Sequence, residues 1–268
     1  MKFIILIPVF NDFKSASRLV EEIDINISEL NASFSVIVVN DASVDEKILE
    51  TKNLNNIKSL KLINMRNNRG HARCIAAGLK YVSENEEFDY VIPMDGDGED
   101  RPEEIKNFME KTKNNPNRTI VGERVKRSES FIFKICYFFH KIITYTFTGK
   151  FIKFGNFTCL TKETVKKLIE EKATWSSFSG SLAKTESNLI KSPSIRGLRY
   201  FGPSKMSFIN LVKHSLAIIA VFKTGVIFRS IAFYAIYLII IADYISVVTA
   251  IPLALIIIFG LVILKISG

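Results

Sequence analysis

Apolar residues along the first half of the chain follow two periods, one typical of β-strands and one typical of α-helices. Short apolar runs predict strands at residues 3–7, 34–39, 59–63, 88–94 and 119–121. Apolar positions that recur every three or four residues predict helices within residues 19–30, 72–82 and 102–113, and a weaker helix after Asp45. This alternation is typical of βαβ units, and it predicts an α/β fold with a mostly parallel, Rossmann-like sheet.

Polar clusters follow four of the predicted strands, where the chain leaves each strand. They lie at residues 8–12, 40–45, 66–71 and 95–100. Right-handed crossovers place the carboxyl ends of parallel strands at one edge of the sheet, so we expect the four clusters to meet there. Because open α/β sheets bind ligands at this edge, the topology predicts a ligand site before the chemistry of any cluster is considered.

The last of these clusters contains four carboxylates within six residues. Its sequence is Asp95-Gly96-Asp97-Gly98-Glu99-Asp100. Carboxylates this close repel one another unless a cation lies among them, and Mg²⁺ and Mn²⁺ prefer oxygen ligands. Asp95 and Asp97 are therefore candidate ligands of a divalent metal, whereas a solvated acidic turn is the alternative for an isolated Asp-x-Asp.

Residues 123–205 show a less regular pattern. Within them, residues 131–154 are aromatic and apolar, but Lys134, His140 and Lys141 would be costly inside a membrane span. An amphipathic helix on the bilayer surface and an ordinary core helix both remain open for this segment.

The C-terminal quarter of the chain is almost wholly apolar. Residues 226–241 and 247–264 are about long enough to span a membrane, and residues 242–246 are the predicted turn between them. A buried hairpin in a soluble core is the alternative, but it would need a large core without a charge between Asp243 and Lys265. We therefore predict two transmembrane helices.

Basic residues precede the first predicted span, namely Lys205, Lys213, Lys223 and Arg229. By the positive-inside rule they predict a multi-pass protein of the cytoplasmic (inner) membrane with its N-terminal domain in the cytoplasm. The predicted organisation is a domain over residues 1–205, a juxtamembrane amphipathic segment over residues 206–225, and two spans within residues 226–264.

Composition supports a membrane rather than a nucleic acid as partner. The 268 residues carry a net charge of +9 and are 48% hydrophobic, and basic residues are not interleaved with aromatic ones on a soluble module. Cys74, Cys136 and Cys159 are scattered without metal-binding spacing, which favours a reducing compartment. The apolar start of the chain is too short for a signal peptide and is predicted as the first strand.

Five short motifs follow one another along nearly the whole chain. They are Ile7-Pro8-Val9-Phe10-Asn11-Asp12, Val39-Asn40-Asp41-Ala42-Ser43-Val44-Asp45, Asn68-Arg69-Gly70-His71 with Gly78-Leu79, Asp95-Gly96-Asp97, and Arg199 with Gly202-Pro203-Ser204-Lys205-Met206. Together they resemble the motifs of the family-2 glycosyltransferases, specifically the membrane-tethered branch with dolichol-phosphate mannosyltransferase and bacterial polyprenyl-phosphate glycosyltransferases. Each motif alone has low specificity, but five in this order before two apolar stretches are highly specific.

The resemblance implies a glycosyltransferase-A fold that binds a nucleotide sugar. It implies donor binding by Pro8, Phe10, Asp12, Asp41, Asp95, Arg199 and Lys205, with Asp12 and Asp41 recognising the base and ribose. Asp95, through a divalent Mg²⁺ or Mn²⁺, and Asp97 would hold the diphosphate, whose developing charge the ion stabilises. Arg124, Arg127, Arg199 and Lys205 are candidate phosphate clamps, and adhesion to the membrane surface is the alternative for them.

The expected acceptor decides whether a general base is needed. A phosphate acceptor is already ionised near neutral pH, whereas a hydroxyl acceptor needs a base, for which Glu99 and Asp100 are the nearest candidates. The catalytic candidates are thus Asp97, Glu99, Asp100 and Arg127.

Several residues depart from the family pattern. Asn40 and Asn156 replace aspartates, Ala42 replaces a glycine, and Glu99 replaces a glutamine. His71 either faces a phosphate or caps its helix, and we favour the cap.

We expect an inverting glycosyltransferase that transfers a sugar to a polyprenyl phosphate at the cytoplasmic membrane face. Transfer to a saccharide or lipid-linked glycan in cell-envelope polysaccharide synthesis is the first alternative. A non-catalytic, nucleotide-sugar-binding membrane protein is the second. The sequence leaves open whether the chain forms a homo-oligomer.

Overall fold

The computed structural model describes residues 1–44, 49–126, 131–202 and 208–267. Contacts divide the chain into two compact units. The first unit comprises Met1–Ser128 and Lys153–Lys205, and the second comprises Glu129–Ile152 and Met206–Gly268. Buried apolar side chains form separate clusters within each unit, so each unit has its own core.

Seven strands in the described part of the first unit form one sheet. They are β1 (Lys2–Val9), β2 (Ser33–Asn40), β3 (Ile57–Asn64), β4 (Tyr90–Pro93), β5 (Ile120–Lys126), β6 (Phe154–Thr161) and β7 (Ile190–Ile195). Their order is β3-β2-β1-β4-β6-β5-β7, and only β6 runs antiparallel to its neighbours. The predicted α/β architecture with a mostly parallel sheet is therefore confirmed.

Nine α-helices are present in the described residues. They are α1 (Phe13–Asn26), α2 (His71–Asn85), α3 (Ile105–Asn114), α4 (Phe131–Thr148), α5 (Lys162–Glu170), α6 (Phe178–Thr185), α7 (Phe208–Ala220), α8 (Lys223–Ile240) and α9 (Val247–Ser267). By its contacts, α4 belongs to the second unit together with α7, α8 and α9.

Both faces of the central strands are buried. Alternate residues of β1 point to opposite sides: Ile5 and Ile7 belong to the core that includes α1 and α3, whereas Ile4 and Leu6 belong to the core that includes α2, α5 and α6. A strand covered on both faces is apolar at every position rather than at every second one. This explains why β1, β2 and β4 were visible in the sequence as continuous apolar runs.

The predicted weaker helix after Asp45 is not formed where the chain is described. Residues 49–56 are irregular, and residues 45–48 lie outside the described residues. The carboxylate of Asp24 on α1 accepts hydrogen bonds from the backbone N–H groups of Asn55, Asn56 and Ile57, at 3.1, 2.8 and 2.8 Å. These donors bind a side chain instead of a helical carbonyl, so a tertiary contact overrides the weak helical preference.

The sequence pattern did not reveal β6 and β7. Strand β7 lies at the edge of the sheet, where Pro193 is tolerated, and its buried positions are the polar Ser192 and Ser194 rather than apolar residues. Strand β6 begins with Phe154, Gly155 and Asn156, so its first half lacks the apolar run by which the other strands were recognised.

Among the described residues of the second unit, two helices are long and apolar enough to cross a membrane, Lys223–Ile240 and Val247–Ser267. Only 11% and 6% of the most apolar stretch of each helix is buried, whereas the helices of a hairpin in a soluble core would be mostly buried. The guanidinium of Arg229 in α8 donates to the carbonyl oxygen of Phe147 at the end of α4, at 3.0 Å. The ring of Phe147 also packs against Phe233 and Phe259, so α4 is joined to both long helices.

Asp24 generates a prediction about stability and pH. Burial raises its pKa, but the N–H groups of Asn55, Asn56 and Ile57 outweigh this and lower the pKa of Asp24 below its ordinary value. Ionised Asp24 therefore stabilises the fold above its unfolded pKa of about 4, and this contribution is lost as the pH falls through the folded pKa. We expect Asp24→Asn to lower the free energy of unfolding by about 2 kcal/mol at pH 7.

The measurement is denaturant unfolding of the detergent-purified protein between pH 7 and pH 3. The difference between Asp24→Asn and the natural chain should shrink as the pH falls. Glu29→Gln, which changes an exposed carboxylate near the end of α1, is the matched control and should have little effect. A pH-independent difference for Asp24→Asn would contradict the assignment.

Candidate active site

The four predicted polar clusters meet at one edge of the sheet. Strands β2, β1 and β4 are paired in parallel, so the loops that follow them leave the sheet side by side. Asn11 after β1 and Ser43 after β2 join two of these loops, since the Asn11 N–H donates to the Ser43 hydroxyl at 2.9 Å. Asn11 Oδ1 in turn accepts from the Val44 N–H at 2.9 Å. The convergence expected from the topology is therefore observed for the described residues of these clusters.

Asp41 is buried at the end of β2 and holds the loop between β3 and α2. Its two carboxylate oxygens accept the backbone N–H groups of Arg69, at 2.7 Å, and Gly70, at 2.8 Å. Gly70 has a φ of 90°, a conformation that favours glycine, and the next residue begins α2. Asp41 thus shapes the site, and its recognition of a base or ribose stays a prediction.

Two departures from the family pattern fit their surroundings. The buried Asn40 amide donates to Asn64 Oδ1 at 2.8 Å, and its own oxygen accepts the Ser43 N–H at 2.9 Å. An aspartate here would lack the donor. Ala42 has a φ of 55°, which explains why the family pattern has a glycine at this position.

The acidic loop, residues 95–100, is folded onto itself. Asp100 is buried and accepts the Asp95 N–H at 2.9 Å, while Asp97 Oδ1 accepts the Glu99 N–H at 3.0 Å. Burial, together with the Asp95 carboxylate, raises the pKa of Asp100 to about 8 and also raises the pKa of Asp97. Burial and the neighbouring carboxylate thus both disfavour the ionised forms of Asp97 and Asp100.

Asp95 has partners that keep it ionised. Its Oδ1 accepts from Asn156 Nδ2 at 3.2 Å and lies 3.2 Å from His71 Nε2. Burial raises the pKa of Asp95, but His71, and then Arg124 and Asn156, lower it below its ordinary value. Burial lowers the pKa of His71, but the Asp95 carboxylate outweighs this and raises it.

The helix-capping interpretation of His71 is wrong. Gly70 occupies the cap position of α2 and no side chain caps the helix, whereas the His71 ring contacts Asp95 and Asn156. Sequence reasoning also gave Asn156 no role beyond a departure from the pattern. The motif around His71 placed it beside the site, but only the pairing of β4 with β6 brings Asn156 to Asp95.

Residues 196–200, which we call the strap, lie across the acidic loop. The Gly197 N–H donates to the Glu99 carbonyl oxygen at 2.8 Å, and the Tyr200 N–H donates to the Asp97 carbonyl oxygen at 2.9 Å. A side chain at Gly98, whose φ is 88°, would collide with the ring of Tyr200. Glycine is therefore required for the strap to lie this close to the loop.

The strap brings two arginines to the carboxylates. Arg199 forms ion pairs with Asp97 and, at 3.2 Å, with Asp12, and Arg196 forms an ion pair with Glu99. Arg199 was predicted as a site residue, whereas sequence reasoning missed Arg196. Its spacing of three residues before Arg199 was a signal that could have identified it.

The remaining predicted residues are distributed as follows. Pro8 is buried at the end of β1, and Phe10 is exposed immediately after that strand. The guanidinium of Arg124 lies against Gly155, so a side chain at position 155 would collide with it. Arg127 and Lys205 lie outside the described residues, so their roles stay predictions.

The donor set at Asp95 and Asp97 fits a divalent ion bound together with a ligand. Among the residues that the structure describes, no three His, Cys, Asp or Glu side chains form a complete metal cage. Mg²⁺ is commonly held by one or two carboxylates, with substrate phosphates and water completing its shell. Two carboxylates in one short loop match this mode, and Mn²⁺ accepts the same ligands.

Comparison with known proteins agrees with the motifs. The model of the glycosyl transferase family 2 matches residues 4–164. An undecaprenyl-phosphate 4-deoxy-4-formamido-L-arabinose transferase of Klebsiella pneumoniae (strain 342) is 25% identical over 219 residues, which cover 79% of this chain and 64% of the relative. An uncharacterized glycosyltransferase of Synechocystis sp. is 25% identical over 129 residues, or 48% of this chain and 39% of the relative. The chain spans less than two thirds of the length of these curated relatives.

Solved structures share the fold. Glucosyl-3-phosphoglycerate synthase from Mycobacterium tuberculosis, in complex with Mn²⁺, UDP and glucosyl-3-phosphoglycerate, has a TM-score of 0.58 at 11% identity, over 84% of this chain and 79% of that one. S. aureus TarS 1-349 in complex with UDP-GlcNAc has a TM-score of 0.54 at 16% identity, over 86% of this chain and 70% of that one. The expected glycosyltransferase-A fold is therefore confirmed.

The positive φ of Ala42 generates a prediction. A non-glycine residue in this conformation is strained, so we expect Ala42→Gly to raise the free energy of unfolding by about 0.5–1 kcal/mol. The transition in thermal unfolding should rise by roughly 1–4 °C. Ala72→Gly, within α2, is the matched control and should lower it, because glycine is unfavourable inside a helix. Equal destabilisation by both variants would refute the interpretation.

Proposed function

Because the chain belongs to the glycosyl transferase family 2, we propose that it transfers a sugar, with inversion, from a nucleotide-sugar donor to a polyprenyl phosphate at the cytoplasmic face of the inner membrane. The observation that carries the proposal is the meeting of Asp12, Asp97 and Arg199 at the ligand-binding edge of a parallel sheet. The two apolar helices and the undecaprenyl-phosphate transferase relative support a lipid-phosphate acceptor.

In the proposed site the donor lies along the carboxyl ends of β1, β2 and β4. Pro8, Phe10, Asp12 and Asp41 recognise the nucleoside, and Asp95 and Asp97 hold a divalent Mg²⁺ or Mn²⁺. When bound, the ion stabilises the charge that develops on the departing nucleoside diphosphate. The UDP and Mn²⁺ in the complexes of proteins with this fold support a donor and an ion of these classes.

His71 and Asn156 orient the proposed ligand Asp95. Both contacts fall on Oδ1, and no described residue is hydrogen-bonded to Oδ2. A carboxylate held from one side presents its other oxygen in a defined direction, as partners behind a metal ligand commonly ensure. Asn156 therefore performs a positioning role at the place where the family pattern has an aspartate.

The state of the two candidate bases favours a phosphate acceptor over a hydroxyl. Glu99 is paired with Arg196, and Asp100 is buried, accepts the Asp95 N–H and has a pKa of about 8. Both side chains are therefore engaged within the site, whereas a general base must lie within hydrogen-bond reach of the hydroxyl that it deprotonates. An ionised phosphate oxygen needs no such base to attack the sugar carbon and displace the diphosphate from the opposite face. Arg127 and Lys205 are the proposed contacts to acceptor or donor phosphate.

Two alternative functions are distinguished by the transfer assay described below. Transfer to a saccharide or lipid-linked glycan would require Glu99 to leave Arg196 and act as base. A non-catalytic binding protein was suggested by Asn40, Ala42 and Asn156. The first and third of these make specific hydrogen bonds, and Ala42 keeps the conformation that glycine would adopt. They no longer argue for lost activity.

Asp97→Ala tests the proposed metal ligand. We expect transfer to fall by about a hundredfold or more, because the leaving diphosphate loses its electrostatic stabilisation. The measurement is release of nucleoside diphosphate from UDP- and GDP-sugars by the detergent-purified chain with Mn²⁺ and undecaprenyl phosphate. Glu84→Ala, an exposed carboxylate on α2, is the control and should retain full turnover. Unchanged turnover of a folded Asp97→Ala protein would refute the role of Asp97.

The same assay without lipid identifies the acceptor. Release that rises only with undecaprenyl phosphate, and that a chelator abolishes, is the expected result. Release that does not change when the lipid is added would indicate a glycan acceptor instead. No release from any donor, by a folded protein that binds Mn²⁺, would favour a binding protein without catalysis.

A further inference from the structure

Arg199 occupies the place where the proposed function needs a cation. Its Nη1 contacts Asp97 Oδ2, and its Nη2 lies 3.2 Å from Asp12 Oδ2. The three side chains are 16%, 17% and 21% exposed, so the ion pairs are largely shielded from solvent. A guanidinium of the chain itself therefore neutralises one of the two proposed metal ligands.

The arrangement leaves one donor of Arg199 unsatisfied. Its Nε is buried and has no hydrogen-bond partner within the described residues. A buried donor without an acceptor is unfavourable, so two carboxylates do not complete the surroundings of this guanidinium. An anion with several oxygens, such as a diphosphate, offers acceptors in the planar arrangement that a guanidinium binds.

The strap has anchors other than the Arg199 side chain. Gly197 and Tyr200 are hydrogen-bonded to the acidic loop through their backbones, and Arg196 is paired with Glu99. The Tyr200 hydroxyl donates to Glu22, and the guanidinium of Arg18 lies 4.4 Å from the centre of its ring. The strap is thus anchored on both sides of Arg199, and this side chain can leave Asp97 while the backbone stays in place.

We propose that Arg199 is a built-in counter-ion that holds Asp97 in the ligand-free protein and competes there with the divalent metal. A nucleoside diphosphate attracts the guanidinium away from Asp97 and so makes the carboxylate available to the ion. The nucleotide and the metal then each increase the affinity for the other, as linkage requires. This inference rests on the proposed function, because it takes Asp97 to be a metal ligand.

The test measures binding of Mn²⁺ to the detergent-purified full chain by electron paramagnetic resonance of the free ion, alone and with UDP or GDP. For the natural chain we expect weak binding of Mn²⁺ alone and tighter binding with the nucleotide that fits. Arg199→Gln removes the competing charge, so it should bind Mn²⁺ alone about tenfold more tightly. It should also gain less from the nucleotide than the natural chain does.

Two control variants separate competition from a loss of structure. Arg199→Lys retains a positive charge beside Asp97 and should bind Mn²⁺ nearly as the natural chain does. Arg196→Gln removes a charge from the same strap, but one that is paired with Glu99, and should change the affinity by less than about threefold. A tenfold gain in all three variants would mean that loosening the strap, and not the charge of Arg199, governs binding, and it would overturn the proposal.

Two further outcomes distinguish this inference from the proposed function. If Arg199→Gln binds Mn²⁺ no more tightly than the natural chain while Asp97→Ala binds it poorly, the metal site stands and the counter-ion proposal is overturned. If Asp97→Ala binds Mn²⁺ as the natural chain does, Asp97 is not a ligand and both the metal assignment and the counter-ion proposal fail.

Discussion

Mutual repulsion among the carboxylates of the acidic loop is the constraint on which the rest of the site depends. Asp95, Asp97 and Asp100 lie within six residues, and burial strengthens their interaction because it removes water from between them. Burial, and then the Asp95 carboxylate, raise the pKa of both Asp97 and Asp100. A loop of this kind needs cations from elsewhere, and the surrounding elements supply them.

The four cations come from three different parts of the first unit. His71 reaches Asp95 from the start of α2, Arg124 acts on it from β5, and the strap after β7 supplies Arg196 and Arg199. The distribution is uneven, because His71, Arg124 and Asn156 keep Asp95 ionised, whereas Asp97 has the Glu99 N–H and a single cation, Arg199. This difference underlies both the proposed donor site and the proposed role of Arg199.

The departures from the family pattern show how neighbouring residues compensate for a substitution. The Asn40 amide donates to Asn64, which an aspartate at this position would not do. Asn156 contacts the His71 ring and donates to Asp95 instead of adding a further carboxylate to a crowded site. In a loop already rich in negative charge, an amide at position 156 reduces repulsion around Asp95 and still orients it. Substitutions that look like losses in the sequence are thus consistent with a working site.

The sequence by itself determined the central strands, the convergence of the polar clusters, the acidic loop and the two apolar helices. Each depends on a local period, on composition or on a general rule of topology. The tertiary structure alone decided that the backbone before β3 donates to Asp24, that β6 runs antiparallel, and that His71 contacts Asp95 rather than capping α2. It also decided the partners of Arg199, which lie 102 and 187 residues away. Contacts at such separations depend on how whole elements pack, and no pattern within a short window of sequence contains that information.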